Sequence, residues 1–205
     1  MKRLLLAVAI TCFTLSLTAQ NGIKVNYQGE KPTISDFVGA YLSETDEDEE
    51  EGYADESFNA VKYAWNQHLQ GVPQDENVTL TIDEKNGIVI YENRQDENLL
   101  RIEMCYWNET DKKHKLFAYN VSCFTNDQYS PGQFDGLTFY RYDNAKKEMV
   151  WCDDTGFDVE YGTEDGAWVS YALPRSGKDI TVTYWYNDKG KKQKTLKWDG
   201  RRFSL

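Results

Sequence analysis

The chain is poor in the residue types on which many familiar chemistries rest. Its 205 residues include two histidines, four cysteines, three methionines and four prolines. With only His68 and His114, and no G-x-S-x-G elbow, nucleophilic hydrolysis has little to build on. No paired C-x-x-C, H-E-x-x-H or clustered Cys/His set occurs, which argues against zinc, and no cofactor is indicated. Positive charge is also scarce. Lysine and arginine total 23 against 34 acids, for a net charge of -11. Binding nucleic acid needs a basic face to neutralise phosphates, so that class of partner is not expected.

Long apolar runs are absent except at the start, so no membrane span of about 18 residues is expected. The exception opens "MKRLLLAVAITCFTLSLTAQNG". Lys2 and Arg3 form a positive n-region, an uncharged apolar stretch follows, and a polar break comes at Ala19-Gln20. This layout predicts a secretory signal peptide over residues 1–19, with export to the periplasm or the exterior. Leu17 departs from the small residue usual there. Cys12 raises lipoprotein processing as an alternative, but Thr11 is a poor predecessor and the apolar run continues beyond it. Losing Lys2 and Arg3 takes the net charge from -11 to -13.

Residues 20–205 then form one domain, with a helical acidic part over 20–72 and an antiparallel sheet over 73–205. Three cysteines remain, Cys105, Cys123 and Cys152, an odd number that no disulfide scaffold would use.

In "KPTISDFVGAYL", Ile34, Phe37, Val38, Tyr41 and Leu42 share one helical stripe, with Ser35 as the expected cap. In "DESFNAVKYAWNQHLQG", Phe58, Val61, Ala64 or Trp65, and Leu69 make a second stripe that Gly71 stops. The acidic block between them reads as a solvated loop. Beyond Pro73 the period changes to two. Ten strands are expected: "VTLTID", "GIVIYEN", "LLRIEMCYW", "HKLFAYNVSCF", "GLTFYRYD", "KEMVWC", "FDVEY", "AWVSYAL", "ITVTYWYN" and "KTLKWDG". Their short connections predict a curved antiparallel meander, as an open barrel or a sandwich.

The stretch "IEMCYWNETDKKHKLF" gathers a cysteine, a histidine, acids and lysines, yet its alternation reads as one hairpin. A hairpin turning near Asp111 puts Cys123 about 23 Å from Cys105, at roughly 3.3 Å per residue, too far for a disulfide. Pairing of Cys152 with either stays open. A Cys105–His114 dyad would need an activated thiolate and is not expected. In a simple meander, alternate turns collect Lys85, Lys112, Lys113, Lys146, Lys147, Lys189, Lys191 and Lys192 on one rim. Such a rim suits an anionic ligand, or simply keeps edges from pairing. The acidic block near residues 44–51 offers a third role, folding back over that rim.

Calcium is the fairest metal alternative, through Asp153, Asp154 and Asp158. The same acids are the ones to watch for a carboxylate-pair hydrolase. The tryptophans on strands, Trp107, Trp151 and Trp185 above all, either stack on sugar faces or fill the core. Sequons stand at Asn77, Asn108 and Asn120.

The signal peptide ending "LTAQ" and the terminal hairpin closing "KTLKWDGRRFSL", with Trp198, Gly200 and Phe203, resemble uncharacterised secreted β-rich proteins of Bacteroidetes-type bacteria. That resemblance implies an exported single domain and transfers no catalytic residue. The combined expectation is an α+β, mainly-β fold with two N-terminal helices on a large curved antiparallel sheet. Its expected role is non-enzymatic binding of an extracellular glycan or other anionic ligand through Trp107, Trp151, Trp185, Lys112, Lys113, Lys146, Lys147, Lys191 and Lys192. The alternative is a protein-interaction module of the cell envelope, an assembly component or an inhibitor of a secreted hydrolase. A carboxylate-based hydrolase comes third.

Overall fold

The computed structural model describes residues 22–44, 56–157, 166–187 and 190–205. The expected strand "FDVEY" (beyond Phe157) and the acidic block from residue 45 lie outside them. The order is β1 (Ile23–Lys24), α1 (Ile34–Glu44), α2 (Glu56–Leu69), β2 (Val78–Asp83), β3 (Ile88–Gln95), β4 (Asn98–Asn108), β5 (His114–Thr125), β6 (Gln128–Tyr129), β7 (Gly136–Asp143), β8 (Glu148–Trp151), β9 (Trp168–Ala172), β10 (Ile180–Tyr186), β11 (Gly190–Trp198) and β12 (Phe203–Ser204). Among the described residues, no helix is long and apolar enough to cross a membrane.

The helices follow their apolar stripes. Ile34, Phe37, Val38, Tyr41 and Leu42 are all buried, as are Phe58, Val61, Ala64 and Trp65. Leu69 instead stays exposed. The cap of α1 is Thr33 rather than Ser35. Its backbone N–H and hydroxyl donate to Asp36 Oδ2 at 2.7 and 3.0 Å, which places the acid in the first turn. Helix α2 closes as anticipated: Gly71 takes φ +68°, and the N–H groups of Gly71 and Val72 return to the carbonyls of His68 and Gln67.

The strands form an α+β, mainly-β fold on a strongly curled antiparallel sheet, but not one simple meander. The larger sheet runs β1-β8-β7-β5-β4-β3-β2, with β6 on β5; a second sheet runs β12-β11-β10-β9. The larger sheet is buried on both faces. Val89, Tyr91, Ile102, Met104, Phe117, Tyr119 and Tyr142 meet the helices. The alternate residues Ile88, Ile90, Cys105, Trp107, Leu116, Ala118 and Phe139 meet the second sheet. Helices, curled sheet and small sheet therefore stack as three layers around two cores.

One polar group is sealed between the two sheets. Glu103, 4% exposed, accepts hydrogen bonds from the Leu173 N–H at 2.9 Å and Asn120 Nδ2 at 3.2 Å. Burial raises its pKa above 4.5. The folded chain therefore holds this proton more tightly than the unfolded chain, and stability falls as pH rises from about 4.5 through the folded value. Glu103→Gln keeps an acceptor for Leu173 and is expected to flatten that decline; urea melts at pH 5 and pH 8 would read it. An unchanged difference between the two pH values would exclude Glu103 as its source. Asn120 itself is wholly buried, so the sequon there is structural, whereas Asn77 and Asn108 are exposed.

Candidate functional site

The β4–β5 hairpin forms as expected, and it answers the question of a catalytic or metal centre at its tip. Cys105 pairs with Ala118, four residues beyond His114, so thiol and imidazole are about 13 Å apart along the strand. Burial also pushes the Cys105 thiol well up, the reverse of an activated nucleophile. Cys123 lies opposite Leu100, and Cys105 and Cys152 are free thiols.

Ligand atoms of Glu109, Asp111 and His114 do converge within 4.8 Å. Their charges, however, are already matched. Glu109, whose side chain is 1% exposed, receives Arg141 Nε on Oε1 and Arg201 Nη1 on Oε2, both at 2.7 Å. Asp111 Oδ1 accepts the N–H groups of Lys113 and His114, and Oδ2 lies 2.6 Å from His114 Nδ1. The histidine hydrogen bond leads in lowering the Asp111 pKa from 3.8 to about 2. Two guanidinium groups beside these oxygens oppose a further cation, so the tip reads as a structural knot. The lowered pKa stabilises the fold above about pH 4, and that contribution is lost as pH falls through about 2. Asp111→Asn is expected to remove this part of the acid-unfolding curve; superimposable curves for the two proteins would refute it.

The calcium alternative meets the same opposition. Asp154 pairs with Arg202 and lies 3.8 Å from Arg201, so arginines supply the positive charge an ion would bring. Asp153 is exposed, and Asp158 lies outside the described residues.

The expected lysine rim is split. The β4–β5 and β7–β8 turns sit side by side, since Asn144 donates to the carbonyls of Lys113 and Lys112. Lys112, Lys113, Lys146 and Lys147 therefore share one end of the larger sheet, with Lys147 over the Tyr27 ring. Lys191 and Lys192 belong to the other end. They lie in β11 beyond Trp185, whose ring meets Phe124 and Tyr129 near the β3–β4 turn. The reason is the second sheet: leaving the first breaks the alternation of turns that a single meander requires. Lys189 lies outside the described residues.

The tryptophans separate by layer. Trp107 is core, 4% exposed, against Phe139, Trp198 and Phe203. It is thereby removed from the ligand-facing set. Trp151, 47% exposed on β8, borders a groove of about 460 Å³ that also holds His114, Arg141, Asp143, Lys146 and Val150.

Trp185 occupies a different setting. Strand register places Trp168, Trp185 and Lys191 directly opposite one another across β9, β10 and β11. Trp168 is 53% exposed, and Lys191 Nζ lies 5.0 Å from the Trp185 ring centroid. The next row is Ser170, Thr183 and Gln193. It orients the first: Trp185 Nε1 donates to Ser170 Oγ at 2.8 Å, and Gln193 Nε2 to Thr183 Oγ1 at 3.2 Å.

No known family, curated protein or solved structure matches this chain.

Trp168 is the residue missing from the expected set. Its signal was present, because folding "AWVSYALPRSGKDITVTYWY" about its central turn sets Trp168 against Trp185.

Proposed function

We propose that the protein is an exported, non-enzymatic binding protein for an extracellular glycan, with the outer face of the second sheet as its platform. The carrying observation is the row of Trp168, Trp185 and Lys191, two indoles and a cation side by side on three adjacent strands. Indoles present large apolar faces suited to the C–H faces of sugars. The exposed Gln193 beside them offers an amide, while the buried Ser170 and Thr183 hold Trp185 and Gln193 in place.

The binding reading is favoured over hydrolysis by the carboxylates. A glycosidase of the usual two-carboxylate kind needs one carboxyl with a raised pKa in an open cleft. Asp143 and Glu148 both line the groove beside Trp151, and hydrogen bonds lower both: from the Lys146 and Ala145 N–H groups in Asp143, from Lys24 in Glu148. Glu103 is raised, but it is closed between two sheets.

A second reading has its own observation. Val150 and Trp151 are exposed apolar residues on β8, and among the described residues β1 pairs β8 at Met149 and Glu148. A partly open apolar edge suits an extended peptide, as an envelope-protein module would require.

A thermal-shift screen of residues 20–205 against neutral and acidic polysaccharides tests the main reading. Ligand at a hundredfold excess over Kd stabilises by about 2.7 kcal/mol. For a domain of this size that amounts to a rise of about 5–10 °C in Tm. Trp185→Ala should abolish the shift and Trp151→Ala should leave it; the reverse pattern would move the site to the β8 groove.

A further inference from the structure

Resting on the glycan reading, we infer that the ligand is an acidic polysaccharide whose chain runs across the strands of the second sheet. Consecutive sugar rings lie over Trp168 and Trp185, and a carboxylate or sulfate group meets Lys191 of β11.

The direction follows from the register. Trp168 and Trp185 are Cα partners on neighbouring strands, and Lys191 is the partner of Trp185 on the next. Neighbouring strands lie about 4.8 Å apart, whereas same-face residues along one strand lie about 6.7 Å apart. The shorter spacing matches the advance per sugar of an extended β-linked chain. The aromatic row is also perpendicular to the strands, so a chain following it crosses β9, then β10, and arrives at β11.

The charge follows from β11. Four exposed lysines occur within its nine residues; Lys191 and Lys197 share the tryptophan face, whereas Lys192 and Lys194 point to the opposite one, Lys194 over the Tyr184 ring. On a chain of net charge -11 this is a local reversal of sign. Edge protection alone would account for lysines on an open strand. It does not account for the position of Lys191, at the end of the tryptophan row with its ammonium over the Trp185 ring. An exposed cation–π contact of this kind is worth about 0.5–1 kcal/mol. A charged hydrogen bond to an anion is worth about 1.5–3 kcal/mol. An acidic substituent therefore draws the ammonium off the indole and uncovers the ring for the sugar beside it. A neutral glycan has no means to do this.

The experiment is isothermal titration of residues 20–205 with hyaluronate, chondroitin sulfate, desulfated chondroitin and neutral cellohexaose, repeated with Lys191→Glu and Trp168→Ala. Chondroitin sulfate should bind more tightly than cellohexaose, and so should hyaluronate where the anion is the carboxylate. Lys191→Glu should weaken the acidic ligands by about tenfold or more, the size of one charged contact, and leave cellohexaose unchanged. Loss of affinity on desulfation assigns the anion to sulfate, and its retention assigns it to carboxylate. Trp168→Ala should weaken every ligand that binds. Equal binding of cellohexaose, together with an indifferent Lys191→Glu, would overturn the acidic class and leave glycan binding standing. Full affinity in Trp168→Ala would overturn the direction across the strands. Binding of none of the four, with Tm unmoved by each, would overturn this inference and the glycan reading together.

Discussion

Trp107→Ala is expected to cost about 3–5 kcal/mol of unfolding free energy, the range for deleting a large buried ring. The indole is 4% exposed, lies 5.3 Å from the Phe203 ring and 6.1 Å from Trp198, and donates Nε1 to the Lys178 carbonyl at 2.8 Å. Truncation therefore opens a cavity where three segments meet: β4, the loop before β10, and the terminal β11–β12 hairpin. It also leaves the Lys178 carbonyl without that donor. The surrounding rings are held by two sheets and cannot collapse to fill the space. Tm should fall by roughly 10 °C or more. Trp151→Ala is the control, at 47% exposure, and should stay within about 0.5 kcal/mol. Urea unfolding of both variants decides the matter. A cost below about 1 kcal/mol for Trp107→Ala would mean that the second sheet does not seal this core.

Glu109→Ala is the other large effect, expected at about 3 kcal/mol. The carboxylate is buried at the end of β4, and each oxygen holds one arginine at 2.7 Å, Arg141 from β7 and Arg201 from the turn before β12. Coulomb attraction, desolvation and two charged hydrogen bonds are thus concentrated on one side chain. Its loss leaves Arg141, 18% exposed, facing the vacated space, while Arg201 at 45% can turn to water. The double variant Glu109→Ala with Arg141→Leu should cost less than the two single changes summed, because the uncompensated guanidinium is gone. Strict additivity would show that the pair is not coupled. The same turn carries Gly200 at φ +103°, where an added Cβ would fall 2.3 Å from Thr110 Cγ2. The knot is therefore set by backbone as well as charge.

These two sites differ in how far they could be read beforehand. The tip of the β4–β5 hairpin was legible, since Asp111 and the "NETDKK" turn are local chemistry. Glu109 was not, because its partners lie 32 and 92 residues away. Trp107 and Trp185 both sat on expected strands, in runs that place aromatics on both faces. Nothing local distinguishes the indole under a second sheet from the one on its outside. The short strands β1 and β6 escaped notice because two residues carry no period, whereas β12 closes the expected terminal hairpin with β11. Strand β11 was expected from Lys194 but begins at Gly190. Its lysine run resembles turn chemistry, and only pairing with β10 extends it.

Alternation of apolar and polar residues by itself determined that residues beyond Pro73 form antiparallel strands and that two amphipathic helices precede them. Both periods are local properties of the backbone and hold whatever the chain packs against. The division into two sheets was settled only by tertiary structure. So was the burial of Trp107, the separation of Lys191 from Lys112, and the alignment of Trp168 with Trp185 and Lys191. Which face of a strand is covered depends on elements far away in sequence, and strand period alone cannot name them.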